Sequence, residues 1–301
     1  MSEPHRHERY NLRGSLRLLL PALAMLLSCG CASAHAQAPA PRFAEPLHLV
    51  VNIPAFRLDV YENGSLQTSY PVTVGQRRDP TPTGHYRLKK VVWNPWWHPP
   101  YNRRPKDKIT PPGPKNPMGK VKLFFDDLYY LHGTPKESEI GTPASRGCVR
   151  LRNDDAIALA RIVHRHGMAP LPDGKLDELA STRSWRTHAY PLTEAVPLDI
   201  VYDVVEVREG ELLVYPDFYR NARFPLTELA ARALEGAGYR RDQIDAERLA
   251  AALAPRSVVP VKSGGAAPRS AAAPTPLRIP VESVLTTGEG VAAIAGGASG
   301  S

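Results

Sequence analysis

Apolar and polar positions along this chain follow two periods. Over residues 47–92 the period is two. Arg57-Leu58-Asp59-Val60-Tyr61 alternates, and Leu47-His48-Leu49-Val50-Val51-Asn52-Ile53 is β-rich almost throughout. Asn63-Gly64 then supplies the residue pair of a tight hairpin turn. Further strands are predicted from Ser69 to Val74, Tyr86 to Val92, Lys120 to Phe125 and Leu128 to His132, with Thr81-Pro82-Thr83-Gly84 as a turn. The period then lengthens to that of a helix. Ala156, Ile157, Leu159, Ala160 and Val163 share one face from a cap at Asn153 to about His166. Strands return from Pro197 to Val207 and from Glu211 to Tyr215, with Glu209-Gly210 as the turn, and residues 226–253 read as two short helices separated by Gly236 and Gly238. This order of elements predicts a mainly β fold: a curved mixed sheet with a covering helix after Cys148.

Where the periods break, composition takes over. Residues 93–120 are rich in Pro, Trp and Gly. A loop of that length is functional or unstructured, and Trp93, Trp96 and Trp97 argue for an ordered, packed one. Residues 169–195 read as an insertion or linker inside a catalytic domain spanning 45–207. A strand and helical extension follows over 208–254, and residues 255–301 form an Ala/Gly/Ser/Pro-rich tail expected to be disordered. Residues 1–38 have the marks of an export segment. Arg6, Arg9, Arg13 and Arg17 precede an apolar run from Leu18 to Leu27 that is too short to span a bilayer stably. Ala32-Ser33-Ala34 and Ala34-His35-Ala36 suit signal peptidase, while Leu26-Leu27-Ser28-Cys29 suits a lipobox that would leave Cys29 acylated on a membrane. Both readings place the protein outside the cytoplasm, in the periplasm or cell envelope. The net charge of +8 then suits an anionic polymer or a carboxylate-rich substrate rather than nucleic acid.

If the export segment is removed whole, Cys29 and Cys31 go with it and Cys148 is the one thiol left. A lone cysteine in an exported protein is either a small buried hydrophobe or a reactive group. Gly147 before it and Arg146 and Arg150 around it argue against an apolar setting, and His132 is the nearest base for making a thiolate. The order His then Cys is the reverse of a papain-like protease. His85, His98, His132 and Cys148 lack the close spacing of a zinc site, so no metal is implied.

The segments His132-Gly133 and Ser145-Arg146-Gly147-Cys148-Val149-Arg150 resemble the core motif of the L,D-transpeptidases with a YkuD-like catalytic domain, which remodel bacterial peptidoglycan. Thr81-Pro82-Thr83-Gly84 resembles the family's upstream turn. Trp93-Asn94-Pro95 through Pro99-Pro100 and Gly113-Pro114-Lys115-Asn116-Pro117-Met118-Gly119 look like the subgroup that attaches Braun lipoprotein to the wall. The resemblance covers residues 47–168, with the strand at 197–207. There are two departures: Arg146 stands where the family usually has His, and no LysM wall-binding module fits ahead of residue 47.

The resemblance implies a covalent route without cofactor or nucleotide. Cys148 attacks the amide between diaminopimelate and the terminal D-alanine of a stem tetrapeptide, D-alanine leaves, and an amine on another stem or a lipoprotein lysine takes the acyl group from the thioester. His132 is the implied base, oriented by the carbonyl of Gly133. Gly147 permits a tight turn, so the amides of Arg146, Gly147 and Cys148 can converge on the oxyanion. Arg150 either binds a substrate carboxylate or braces the loop. Ser145, Trp93 and Trp97 are further candidates for the substrate groove, although packing is the commoner role of such aromatics. Two alternatives stand beside this reading: a hydrolase that uses water as acceptor on the same scaffold, and a wall-binding module without activity.

Overall fold

The structure, a computed structural model, describes residues 43–99, 108–181, 185–254 and 275–286. The expected export segment with Cys29, and the stretches 255–274 and 287–301 of the expected tail, lie outside the described residues.

The first run of sequence makes an antiparallel meander of β1 (Leu47–Asn52), β2 (Arg57–Glu62) and β3 (Ser65–Pro71). Asn63 and Gly64 both take positive φ, at 50° and 76°, as a turn matched to strand twist requires. A two-residue strand β4 (Val74–Gly75) precedes β5 (Gly84–Trp93), and the Pro- and Trp-rich loop leads to β6 (Val121–Phe124) and β7 (Tyr130–Thr134). Short β8 (Pro143–Ser145) and β9 (Val149–Arg152) follow, then helices α1 (Asn153–Gly167) and α2 (Lys175–Ala180), and then the long β10 (His188–Val201). These strands build a curved eight-stranded mixed sheet in the order β3-β2-β1-β10-β5-β6-β7-β9, while β4 and β8 pair apart from it. Only β1 with β10 and β7 with β9 are parallel in the main sheet. The six residues of β1 are all buried, which explains why that run lacks alternation. Helix α1 lays Ala156, Leu159, Ala160 and Val163 against the sheet, where they join Leu88, Val91, Leu123, Leu131 and Leu151 in one core.

A second core lies in the C-terminal part. Strands β11 (Val205–Arg208), β12 (Glu211–Val214) and β13 (Leu277–Pro280) form a three-stranded antiparallel sheet, and α3 (Leu226–Gly236) and α4 (Ala246–Leu253) cover it. Asp245 caps α4 by accepting from the amides of Glu247 and Arg248. A buried carboxylate ties this part to the main sheet. Asp59 on β2 accepts from Arg57, Ser69 and Arg208, and Arg57 also reaches Glu206 at 2.8 Å.

Three expectations are corrected here. The disordered tail does not hold over 275–286. Ile279, Val281, Val284 and Leu285 are buried in the second core, and β13 covers the edge of β12. Those four and the partly buried Leu277, within a low-complexity stretch, were enough to offset the ordering entropy locally. The linker at 169–195 contains α2 and the first eight residues of β10, whose bulge between Pro191 and Val196 hid its period. Asn153 does not cap α1. It is the first helical residue, and its amide instead accepts from Lys120 N at 2.9 Å and donates to Thr134 O at 3.2 Å, binding the long loop to β7.

Two outcomes are expected. Ile279→Ala should destabilise the fold by about 2–4 kcal/mol, read from urea unfolding by circular dichroism, and truncation after Ala254 should cost more, since it bares the β12 edge. Unchanged midpoints for both variants would mean that β13 does not hold the second core. At the β1–β10 seam, His48 Nε2 and His85 Nδ1 lie 2.9 and 2.7 Å from the two oxygens of Asp199. Burial would raise the pKa of that carboxyl, but the hydrogen bonds from His85 and His48 outweigh it and hold it below the usual range. Its contribution should be fully present above a free aspartate's pKa, about 4, and should fade as pH falls through the lower folded value. The melting temperatures of wild type and Asp199→Asn should therefore differ at pH 7 and converge towards pH 3.

Candidate active site

The parallel pairing of β7 and β9 sets Leu131 opposite Val149 and His132 opposite Arg150. Cys148 therefore arrives one residue before β9, level with Tyr130 at the start of β7. His132 and Cys148 line one cavity of about 510 Å3. Lys115, Lys122, Lys136, Arg146 and Arg150 line it too, and among the described residues no Asp or Glu does. Trp97 is also on its wall, held by paired backbone hydrogen bonds with Thr110 at 2.9 and 3.0 Å.

His132 is buried, and its Nδ1 donates to the carbonyl of Gly133 at 2.6 Å. Nδ1 donation fixes the tautomer and leaves Nε2 with the lone pair. Burial, then the positive charge of Arg150 and, more weakly, that of Lys122, pull the imidazole pKa down to about 3, against backbone hydrogen bonds to Gly133 and Met118. The ring is neutral at physiological pH. Cys148 is half-buried, with Sγ 3.8 Å from the Leu128 carbonyl. Burial pushes its thiol pKa up, opposed by a backbone hydrogen bond from Tyr130 and by the charges of Arg150 and Lys122. At rest the pair is a thiol beside a neutral imidazole, so the proton moves as the nucleophile attacks.

Ser145 is a brace for the turn. Its buried hydroxyl donates to the Cys148 carbonyl at 2.5 Å and accepts from Gly147 N at 3.0 Å. Ser145 therefore holds the turn while it also lines the cavity, and the Gly147 amide already has a partner inside the turn. Gly147 has φ +106°, and a Cβ there would sit 2.4 Å from the Tyr129 ring. Arg150 serves as a brace: its guanidinium pairs with Glu139 and reaches the Ala144 carbonyl at 3.4 Å. Its backbone exchanges two hydrogen bonds with Thr73, both 2.9 Å.

Trp93 is corrected outright. It is fully buried in the main core, with its indole N–H donating to His164 Nε2 at 2.9 Å, and does not reach the cavity. The amphipathic indole found its partner on α1 rather than in the groove. Within the described parts of the long loop, the fully buried Asn116 donates to the carbonyls of Pro95, Thr110 and Pro111 and accepts from Met118 N at 2.8 Å. Behind His132 the packing is tighter still. A Cβ on Gly119 would fall 2.2 Å from Asn153 Oδ1, and one on Gly133 2.4 Å from the same atom. Gly133 thus supplies a carbonyl and also lets Asn153 approach.

Lys122 was not singled out from the sequence. It pairs with His132 across the β6–β7 ladder, so both side chains stand on the face that lines the cavity. Its ammonium lies 4.4 Å from the Tyr130 ring centre and 4.5 Å from that of Phe124, and burial takes its pKa down to about 8. Alternation along β6 would have marked Lys122 as sharing a face with Phe124, but its partner on β7 depends on register. Among the described residues no group of three or more His, Cys, Asp and Glu is placed to hold a metal ion.

Residues 46–177 match the YkuD family model, described as the L,D-transpeptidase catalytic domain. Probable L,D-transpeptidase ErfK/SrfK of Escherichia coli (strain K12) is 36% identical over 117 residues, covering 36% of this chain and 38% of that protein. Probable L,D-transpeptidase YbiS of the same strain is 37% identical over 117 residues, with the same coverage. The chain thus spans 38% of the length of these relatives. A solved L,D-transpeptidase from Mycobacterium smegmatis superposes with a TM-score of 0.34 at 17% identity, over 52% of this chain and 58% of that one. His132, Cys148 and the loops that hold them all fall within the matched segment, and that segment belongs to the YkuD family of L,D-transpeptidase catalytic domains.

Proposed function

We propose that the protein is a cysteine L,D-transpeptidase of the bacterial cell envelope that acts on peptidoglycan stem peptides. The observation that carries this reading is His132, with Nδ1 locked on the Gly133 carbonyl, sharing a cavity with Cys148. Cys148 Sγ attacks the donor carbonyl while its proton passes to His132 Nε2. The charge on the carbonyl oxygen meets backbone amides of the Arg146–Cys148 turn. Collapse breaks the C–N bond, His132 returns the proton to the leaving amine of D-alanine, and a thioester remains. An amine of a second stem, or of a lipoprotein lysine, attacks the thioester and restores the thiol. The cavity's positive lining, with no acidic side chain among the described residues, suits the carboxylates of a stem peptide. Those carboxylates also offset Arg150 and Lys122, the charges that disfavour a protonated His132, so a bound donor makes the imidazole a better base than it is in the empty site. Export of the protein, whether by a cleaved signal or with acylated Cys29, is part of the same proposal.

The experiment is to incubate purified protein with a tetrapeptide donor and a diaminopimelate- or lysine-bearing acceptor and follow the products by mass spectrometry. A conjugate formed with loss of D-alanine is expected, and Cys148→Ala should abolish both the conjugate and carbapenem adducts while the circular dichroism spectrum is kept. Loss of D-alanine without conjugate on either acceptor would make the protein a hydrolase. Neither product nor adduct would sink the enzymatic reading.

The electrostatics give a second test. With its thiol pushed up by burial, Cys148 should be alkylated by iodoacetamide at a rate that keeps rising through about pH 9 rather than levelling near neutrality. Lys122→Met removes a charge that favours the thiolate, so alkylation at pH 8 should slow by about three- to tenfold. A plateau at neutral pH, or no slowing in Lys122→Met, would contradict this account of the resting pair.

A further inference from the structure

The turn that presents Cys148 is held from behind by a short loop. β4 and β8 pair in parallel with Gly75 opposite Ser145, and the Ser145 carbonyl accepts from Gln76 N at 2.9 Å. Gly75 is itself clamped. Its N–H donates to Thr81 Oγ1 at 2.8 Å, and its carbonyl accepts from the hydroxyl of Tyr219 at 2.6 Å. The same hydroxyl accepts from Thr81 N at 3.1 Å. One phenol thus serves as donor to one side of the 75–81 loop and acceptor from the other. The loop has no slack. A Cβ on Gly75 would lie 2.3 Å from the Asp79 carbonyl oxygen, and one on Gly147 would lie 3.2 Å from that of Pro80.

Tyr219 comes from the C-terminal part of the chain, beyond the segment matched by the family. It is held firmly there. Its ring stacks on Tyr202 at 5.3 Å and 12°, and its N–H donates to the Tyr202 hydroxyl at 2.8 Å. That hydroxyl donates in turn to Asp217 at 2.8 Å. The neighbouring Phe218 stacks on Phe56 of the main core. Burial raises the pKa of the Tyr219 phenol, which keeps its proton available for Gly75. A path of hydrogen bonds, joined by the Gly75–Gln76 peptide link, therefore runs from Asp217 and Tyr202 through Tyr219 to Gly75, and from Gln76 through Ser145 to the backbone of Gly147 and Cys148.

We propose that the C-terminal extension is a working part of the active site, with the Tyr219 hydroxyl as a positioning group that sets the Ser145–Cys148 turn through the 75–81 loop. The inference uses the transpeptidase reading only for its turnover readout. Loss of the hydroxyl leaves two backbone groups without their partner, and the loop relaxes by tenths of an ångström at the position that sets Cys148 against His132.

The test compares Tyr219→Phe with Tyr215→Phe in the full chain. Tyr215 is a buried tyrosine of the same region, and its hydroxyl serves Glu206 and Arg57 instead of the loop. Three quantities are measured: melting temperature, kcat and KM on a tetrapeptide donor, and the pH profile of Cys148 alkylation, read by mass spectrometry on the Cys148 peptide. Tyr219→Phe should slow alkylation and kcat about five- to tenfold with KM within about twofold, while Tyr215→Phe lowers the melting temperature and leaves both rates unchanged. Thr81→Val removes the acceptor for Gly75 N with Tyr219 intact. It should show the same kinetic signature, and it decides the matter if Tyr219→Phe does not fold. Wild-type rates in the folded variants, or equal slowing in Tyr215→Phe at equal loss of stability, would overturn the proposal. A wild type that alkylates but turns over no donor would refute the transpeptidase reading, and the alkylation comparison would still judge Tyr219.

Discussion

The site depends on β7 and β9 running parallel. Parallel neighbours cannot be joined by a tight hairpin, so the chain must leave the sheet after Thr134 and come back before Val149. That excursion is short and would be loose on its own. It is pinned where β8 pairs with β4 and where the Arg150 side chain grips Glu139. The carbonyl of Glu139 also takes hydroxyl bonds from Thr73 and Thr142, at 2.5 and 2.6 Å. Cys148 is delivered at the end of this pinned return, and its place beside His132 follows from sheet register rather than from any direct bond between the two.

The same economy of space appears behind the histidine. Gly119, Gly133 and Asn153 interlock so closely that a methyl group on either glycine would overlap the Asn153 amide. That amide joins the long loop to β7, and the carbonyl of Gly133 orients the imidazole. Loop, strand and helix start are thus assembled around one side chain. Deep burial and a positive lining then give a neutral base and a protonated thiol, a resting state in which reactivity waits for a ligand.

The C-terminal part is more than an appendage in packing terms. It has its own core, a charge network on Asp59, and an aromatic stack that reaches the main core through Phe56. Its last described strand comes from a stretch whose average composition argues against order. Composition is a mean over many residues, whereas a strand four residues long needs only a few apolar side chains and an edge to pair with.

The sequence alone determined what rests on residue type and local backbone. The Asn63-Gly64 hairpin was legible because both residues tolerate positive φ, and α1 because its apolar positions recur at the helical period. Cys148 and His132 stood out because a lone thiol after a glycine turn and an imidazole at a strand end are chemically unusual. Tertiary structure decided everything that depends on which face or partner a side chain meets. Trp93 and Trp97 look alike along the chain, yet one is in the core against His164 and the other walls the cavity. Ser145 and the Gly147 amide bond each other because the turn closes on itself, and Lys122 meets His132 only through the β6–β7 register. Asn153 reads as a cap by propensity and serves as a clamp, because an amide with both a donor and an acceptor satisfies whichever backbone groups the fold brings nearest. Side-chain chemistry is written locally, but the partners that use it are separated by tens of residues and are chosen by packing.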